Sequence, residues 1–308
     1  MGRVLAGALL ALLLAGCATL GPGTAGEARW PADVPAAARV TGVPFFPQQE
    51  YQCGPAALAT TLSYAGVDIT PQALLSQVYT PALQGSLQLD LIGATRRNDR
   101  MPFRIAPTVQ ALLQEVSAGN PVLVLQDVGR LGVAWHYAVV VGYDRQADTL
   151  LLQSGAERHL SMSLQDFDRS WARGGRWGLV TLPPARIPAS AEERDYLTQV
   201  AAVEPVRPAL AQAAYRASLR RWPGSLGALM GLGNLAYGEG RLEAAAGYFR
   251  DAVQAHPDAG DAFNNLAQTE SRLGRTAEAH TAIARALALG GPHATIYRKT
   301  LEAMDTVP

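Results

Sequence analysis

The amino-acid sequence predicts a two-part molecule: an α+β unit of N-terminal helices and an antiparallel sheet, followed by an all-helical repeat array. Three observations carry this expectation. At 308 residues the chain is too long for one ordinary domain and comfortable for two. Helical signals over roughly the first half give way after Gly119-Asn120-Pro121 to short β-branched or leucine-rich runs separated by turn residues. From about residue 190 nearly every signal is helical, and the pattern of large, small and breaker residues returns at a fixed offset.

The N-terminus comes first in the chain and sets the compartment. Residues 1–17 read MGRVLAGALLALLLAGC. One arginine, a short apolar stretch and a small-residue site describe a signal peptide rather than a spanning helix. Leu14-Ala15-Gly16-Cys17 resembles the lipobox of bacterial lipoproteins. That resemblance implies that Cys17 becomes the first mature residue and carries a lipid. Ala18, where an Asp would retain the protein at the inner membrane, resembles outer-membrane sorting, so the chain is expected in the cell envelope facing the periplasm. Residues 18–38, rich in Gly, Pro and Ala, read as a flexible tether. No second apolar run reaches the roughly 18–20 residues a membrane-spanning helix needs. Charged residues are 17% and apolar ones 48%, a globular composition, and Lys+Arg and Asp+Glu are both 26. Nothing in that balance calls for nucleic acid or a strongly charged partner.

The α+β unit is expected over residues 39–187. Gly54–Ala65 is a small, apolar helical run ending at Gly66. Thr70-Pro71 supplies an N-cap and an N1 proline for a helix through Val78. Leu87–Arg97 and Thr108–Ala118 have the spacing of further helices. Val122–Leu125, Tyr137–Tyr143, Thr149–Leu152 and Leu179–Leu182 read as strands, and Pro183-Pro184 through Pro188 closes the unit.

Residues 190–308 form the second unit. Aligning 226–259 with 260–293 pairs Leu229 with Phe263, Gly233 with Ala267, Gly240 with Gly274, Phe249 with Ile283 and Ala252 with Ala286. Two antiparallel helices need small residues where backbones approach, a large apolar residue between them and breakers at the turns. The pattern resembles the tetratricopeptide repeat, with a degenerate first copy and a closing helix at 294–305. The resemblance implies a protein partner bound through the repeats.

With Cys17 assigned to the lipid, Cys53 is the one thiol left in an exported chain, without a disulfide partner. A cysteine opening the 54–65 helix sits in the field of the helix N-terminus, which favours the thiolate, and an imidazolium beside it would lower its pKa further. The segment VPFFPQQEYQCGPAAL, residues 43–58, and the later WHYAVVVGY, residues 135–143, resemble the papain-like peptidases related to the bacteriocin-leader (double-glycine) peptidase family. The resemblance implies a papain-like α+β fold and a peptide or protein substrate, with Cys53 as nucleophile, His136 as base and acid, and Gln48 (Gln49 alternatively) as oxyanion donor. The family's Asp after the His strand is missing. Gln153, in Leu150-Leu151-Leu152-Gln153-Ser154-Gly155, is the expected orienter of His136 through Nδ1–H, with Ser154 and Asp144 as alternatives. His159 reads as a surface turn residue, His256, His280 and His293 as cap or solvated positions, and Trp135, Trp171 and Trp177 as sheet packing or cleft lining. No metal or cofactor motif appears. The expected function is an envelope-anchored thiol peptidase or amidohydrolase. The alternative is a catalytically inactive peptidase-fold scaffold whose repeats bind a protein partner.

Overall fold

The computed structural model describes residues 29–306. The lipobox-like segment with Cys17 lies outside the described residues. In chain order the first unit contains β1 (Ala37–Arg39), α1 (Cys53–Tyr64), α2 (Pro71–Val78), α3 (Gln88–Arg97), β2 (Met101–Arg104), α4 (Val109–Ser117), β3 (Val122–Asp127), β4 (Trp135–Asp144), β5 (Thr149–Ser154), β6 (Glu157–Ser163), α5 (Leu164–Arg173) and β7 (Gly178–Leu182). The strands form one antiparallel sheet in the order β2-β7-β3-β4-β5-β6, and β1 pairs with β4 at its Gly142–Asp144 end. Cap chemistry sets the helix starts: Thr70 and Thr108 accept from the Ala73 and Ala111 backbone N–H groups.

Three strands and one helix escape the sequence pattern, each for a physical reason. β1 is a short pairing of Ala-Ala-Arg with no apolar alternation. β2 contains Pro102, which argues against a strand, and it sits at the sheet edge where a missing N–H does little harm. Its outer side is closed by a side chain: Gln199 accepts from Arg104 N at 2.7 Å and donates to Arg104 O at 3.1 Å. β6 is the polar opposite edge, and His159 lies within it rather than in a turn, with Nε2 3.1 Å from an Arg39 nitrogen. α5 starts at Ser163, whose hydroxyl accepts from Asp166 N.

All six residues of β3 are buried, so the middle of the sheet is covered on both faces, and α1, α4 and α5 pack against it. The apolar core does not stop at the Pro183–Pro188 break. It runs from the sheet through Tyr196 and Val200 of α6 (Glu193–Ala201), Ala211 and Tyr215 of α7 (Pro208–Arg221) and Leu232 of α8 (Leu226–Gly238). The rings of Phe103, Tyr196 and Trp222 stack in sequence at 6.0 Å centroid spacings. Buried Glu115 in α4 accepts from Asn120 Nδ2 and from the backbone N and hydroxyl of Ser190, at 2.5, 2.7 and 2.6 Å.

The helical array continues with α9 (Leu242–Ala255), α10 (Gly260–Arg272), α11 (Thr276–Leu289) and α12 (Ala294–Asp305). The small positions serve as the repeat pattern requires. A Cβ on Gly231 would lie 2.5 Å from the Tyr215 ring, and one on Gly233 would lie 2.4 Å from the Phe249 ring. Ala245, Ala252, Ala279 and Ala286 are fully buried at equivalent places in α9 and α11. Glu270, 3% exposed, receives Arg250 and Arg275 and so ties α9 and the α10–α11 turn to α10. Gly233→Val forces the larger side chain into the Phe249 ring. The expected outcome is a loss of about 1–3 kcal/mol in urea unfolding, larger than for Gly247→Ala on the same array, where a Cβ meets nothing within 4 Å.

Candidate active site

The site is built around the uncovered end of β4. β3 pairs with β4 over Trp135–Val140, whereas β5 pairs with it only from Val139 onward. Leu125 N–H donates to Trp177 O, toward β7, so its partner Tyr137 turns its own N–H and C=O the other way, to the side β5 leaves open. Gln48 fills that side. Its Nε2 donates to Tyr137 O at 3.2 Å and its backbone N to Gly155 O at 3.0 Å. An amide nitrogen carries two hydrogens, so fixing one on Tyr137 orients the other. Cys53 opens α1 beside this point, and the Tyr137 backbone N–H reaches toward its sulfur.

Three consecutive residues at the end of β5 each hold a different part of the site. Ser154 Oγ lies 2.8 Å from His136 Nε2. Gln153, the expected orienter, points to the opposite face as strand alternation demands. Its Nε2 donates to Val43 O at 3.3 Å, which pins the segment leading to Gln48, and its Oε1 is buried without a partner. Gly155 takes Gln48 N through its carbonyl. The expected Gln153 contact is thus not formed: the side chain at the imidazole is Ser154, the alternative, and it meets Nε2 rather than Nδ1. Asp144 is equally remote, since its Oδ1 accepts from Gln146 and Ala147 in the β4–β5 turn.

Burial works against charge on both Cys53 and His136. Burial pushes the Cys53 thiol above its ordinary value, against the smaller downward pull of the backbone N–H groups of Tyr137, Gly54 and Cys53 itself. Burial also holds the His136 imidazole below its ordinary value. The helix-N-terminus contribution expected from the sequence is present, but desolvation outweighs it. Beside the histidine, Asp127 closes the β3–β4 turn. Its Oδ1 accepts from Ala134 N at 2.9 Å and Gly129 N at 3.0 Å and its Oδ2 from Arg173 Nε at 3.0 Å, and these donors hold its carboxyl below the usual range.

Cys53, His136 and Gln48 line one cleft of about 890 Å³, with Gln49, Tyr51, Ser86, Leu87, Trp135 and Tyr137. Leu83, Leu87 and Trp135 are exposed at its mouth, whereas Trp171 and Trp177 are buried in packing. The sequence reading held Ser154 as an alternative to Gln153, and it missed Tyr137 and the 80–88 segment. Only Tyr137 left a trace, as the neighbour of His136 in the quoted motif. Another hollow, of about 720 Å³ between α9, α10 and α11, is lined by Phe263, Arg250 and Arg285 among others and carries no thiol or imidazole. His256 and His293 occupy helix caps, and His293 and Tyr297 both bond Asp261. Among the described residues no group of three His, Cys, Asp or Glu side chains is placed to hold a metal.

Comparison with known proteins finds likenesses for both units of the chain. Residues 40–178 match the model of the Peptidase_C39 like family, and residues 206–260 match a tetratricopeptide repeat. No curated protein matches the chain. Among solved structures, a C39-like peptidase of Bacillus anthracis is 16% identical with a TM-score of 0.41, over 47% of this chain and 97% of its own. A double glycine motif protease of an AMS/PCAT transporter, in complex with the leader peptide, is 18% identical with a TM-score of 0.36, over 47% and 93%. The peptidase domain of Streptococcus ComA, a bi-functional ABC transporter, is 19% identical with a TM-score of 0.38, over 46% and 98%. Residues 40–178 are thus similar to the Peptidase_C39 like family, and residues 206–260 to a tetratricopeptide repeat.

Proposed function

We propose that the chain is an envelope-anchored cysteine peptidase or amidohydrolase that acts on a peptide or protein. The observation that carries this reading is the convergence of Cys53, His136 and Gln48 on one cleft, in a domain similar to a peptidase family. In the proposed cycle the neutral imidazole takes the thiol proton as Sγ attacks the scissile carbonyl. The oxyanion is received by the Cys53 N–H and the free N–H of Gln48. His136 then gives its proton to the leaving amine, and water hydrolyses the thioester. In this cycle Ser154 Oγ, 2.8 Å from Nε2, accepts from Nε2–H and so leaves Nδ1 to exchange the proton. The repeats are proposed to hold a protein partner, and Cys17 to carry the lipid that places the enzyme at the periplasmic face of the outer membrane.

One observation favours the non-enzymatic alternative, a scaffold whose repeats do the work: among the described residues no carboxylate bonds His136 to stabilise the imidazolium. Incubation with a peptide library from an envelope extract separates the two readings. The enzyme generates new peptide termini, and Cys53→Ala and His136→Ala abolish them. Termini that persist in Cys53→Ala, or none in the wild type, would sink the peptidase reading.

The pH behaviour follows from the lowered imidazole. A base whose folded pKa is depressed stays unprotonated to below its ordinary value near 6.5. Charging it on acidification costs stability, which is present above pH 6.5 and lost as pH falls through the folded value. Iodoacetamide labelling of Cys53 should accordingly rise with pH as the imidazole loses its proton. Ser154→Asp places a carboxylate on Nε2 and favours the imidazolium–thiolate form. Its expected effect at pH 6 is labelling about tenfold faster than wild type, whereas Ser154→Ala slows it by about fivefold, the value of one hydrogen bond. Identical profiles for all three would show that Ser154 does not govern His136.

A further inference from the structure

The 80–88 segment forms one wall of the cleft, and its fixings are few and specific. Thr80 N bonds Gly85 O at 2.8 Å and Gln84 adopts a left-handed conformation, so the segment closes on itself as a small strap. Its tip presents Leu83 and Leu87, 59% and 47% exposed, toward the cleft mouth. At Ser86 the strap rests on the catalytic elements at two points. Ser86 packs against Gly54, the residue after the nucleophile, so closely that a Cβ there would lie 2.3 Å from Ser86 Oγ and 2.5 Å from its Cβ. The second point is Tyr137, the residue after the histidine, whose hydroxyl donates to Ser86 O at 3.1 Å. Tyr137 is itself immobilised, 3% exposed, with its ring edge-on to Trp177 at 5.8 Å and its carbonyl held by Gln48. The Ser86 hydroxyl takes no part in this anchoring, since Oγ is buried with no partner.

We propose that Tyr137 is a positioning residue that determines what the cleft admits, because its hydroxyl pins the apolar strap 80–88 against the start of the Cys53 helix. The inference rests on the peptidase reading only in taking the cleft as the substrate site. A phenol held by the sheet is a rigid post. With the post in place, Leu83 and Leu87 stand at a fixed distance from Cys53, and substrates are limited to chains slender enough to pass between strap and sulfur.

The test compares two thiol reagents on the full chain, read at the Cys53 peptide by mass spectrometry: small iodoacetamide and bulky pyrene maleimide. Tyr137→Phe keeps the ring packing and deletes only the bond to Ser86 O. It should raise the ratio of pyrene-maleimide to iodoacetamide rates about fivefold, the population shift carried by one lost hydrogen bond, and speed amide exchange across 80–88. Ser86→Ala should leave the ratio unchanged, because the carbonyl and not the hydroxyl is the acceptor. Gly54→Ala displaces the strap from the other side and should raise the ratio even where Tyr137→Phe folds poorly, with Ser86→Gly restoring it in the double variant. An unchanged ratio in both Tyr137→Phe and Gly54→Ala overturns the proposal. So does an equal fall in both rates, which would mean that the hydroxyl supports Cys53 itself. A His136→Ala chain that alkylates with iodoacetamide at the wild-type rate counts against the peptidase reading and leaves the ratio test intact.

Discussion

The hydrogen bond from the Gln48 side chain to the Tyr137 carbonyl is the contact on which the site depends. β4 extends past the strand that should flank it, and an uncovered backbone inside a domain is costly unless something pairs with it. A glutamine amide pairs with it, and in doing so brings a donor to the place where Cys53 enters its helix. The sheet uses the same device at its outer edge, where Gln199 takes both the N–H and the C=O of Arg104. At one place the amide seals an edge against further pairing; at the other it leaves a second hydrogen at the cleft beside Cys53.

Much of this was legible in the sequence because it was local. The Thr70-Pro71 and Thr108 starts, the apolar runs of β3 and β4 and the repeat spacing depend on neighbours a few residues away, and all appear where the pattern places them. Cys53, His136 and Gln48 do meet in one cleft. The unread parts depend on contacts between distant segments. Whether Gln153 or Ser154 faces the imidazole is a question of strand register, and a shift of one residue exchanges the faces. β1 and β2 exist because partners are available, not because Ala-Ala-Arg or a proline-containing tetrapeptide prefers extension. The balance between burial and helix field at Cys53 likewise needs the surrounding packing to be known.

The repeats are not a separate bead on a string. Glu115 grips Ser190, Arg207 donates to Arg97 O, and the Phe103–Tyr196–Trp222 rings run from sheet edge to helical array. α3 spans the distance between the two places of interest. It begins beside the strap at Leu87 and ends at Arg97, on the first helices of the array. One helix thus touches both the cleft wall and the first helices of the array.

The pairing of β1 with β4 has a consequence for how the molecule stands. β1 meets β4 at Gly142–Asp144, and just before it Trp30 is fixed on Asp148 and against Tyr143. His136 is near the other end of the same strand, roughly 25 Å away at the usual rise per residue. The polypeptide therefore enters the domain at the pole opposite its chemistry.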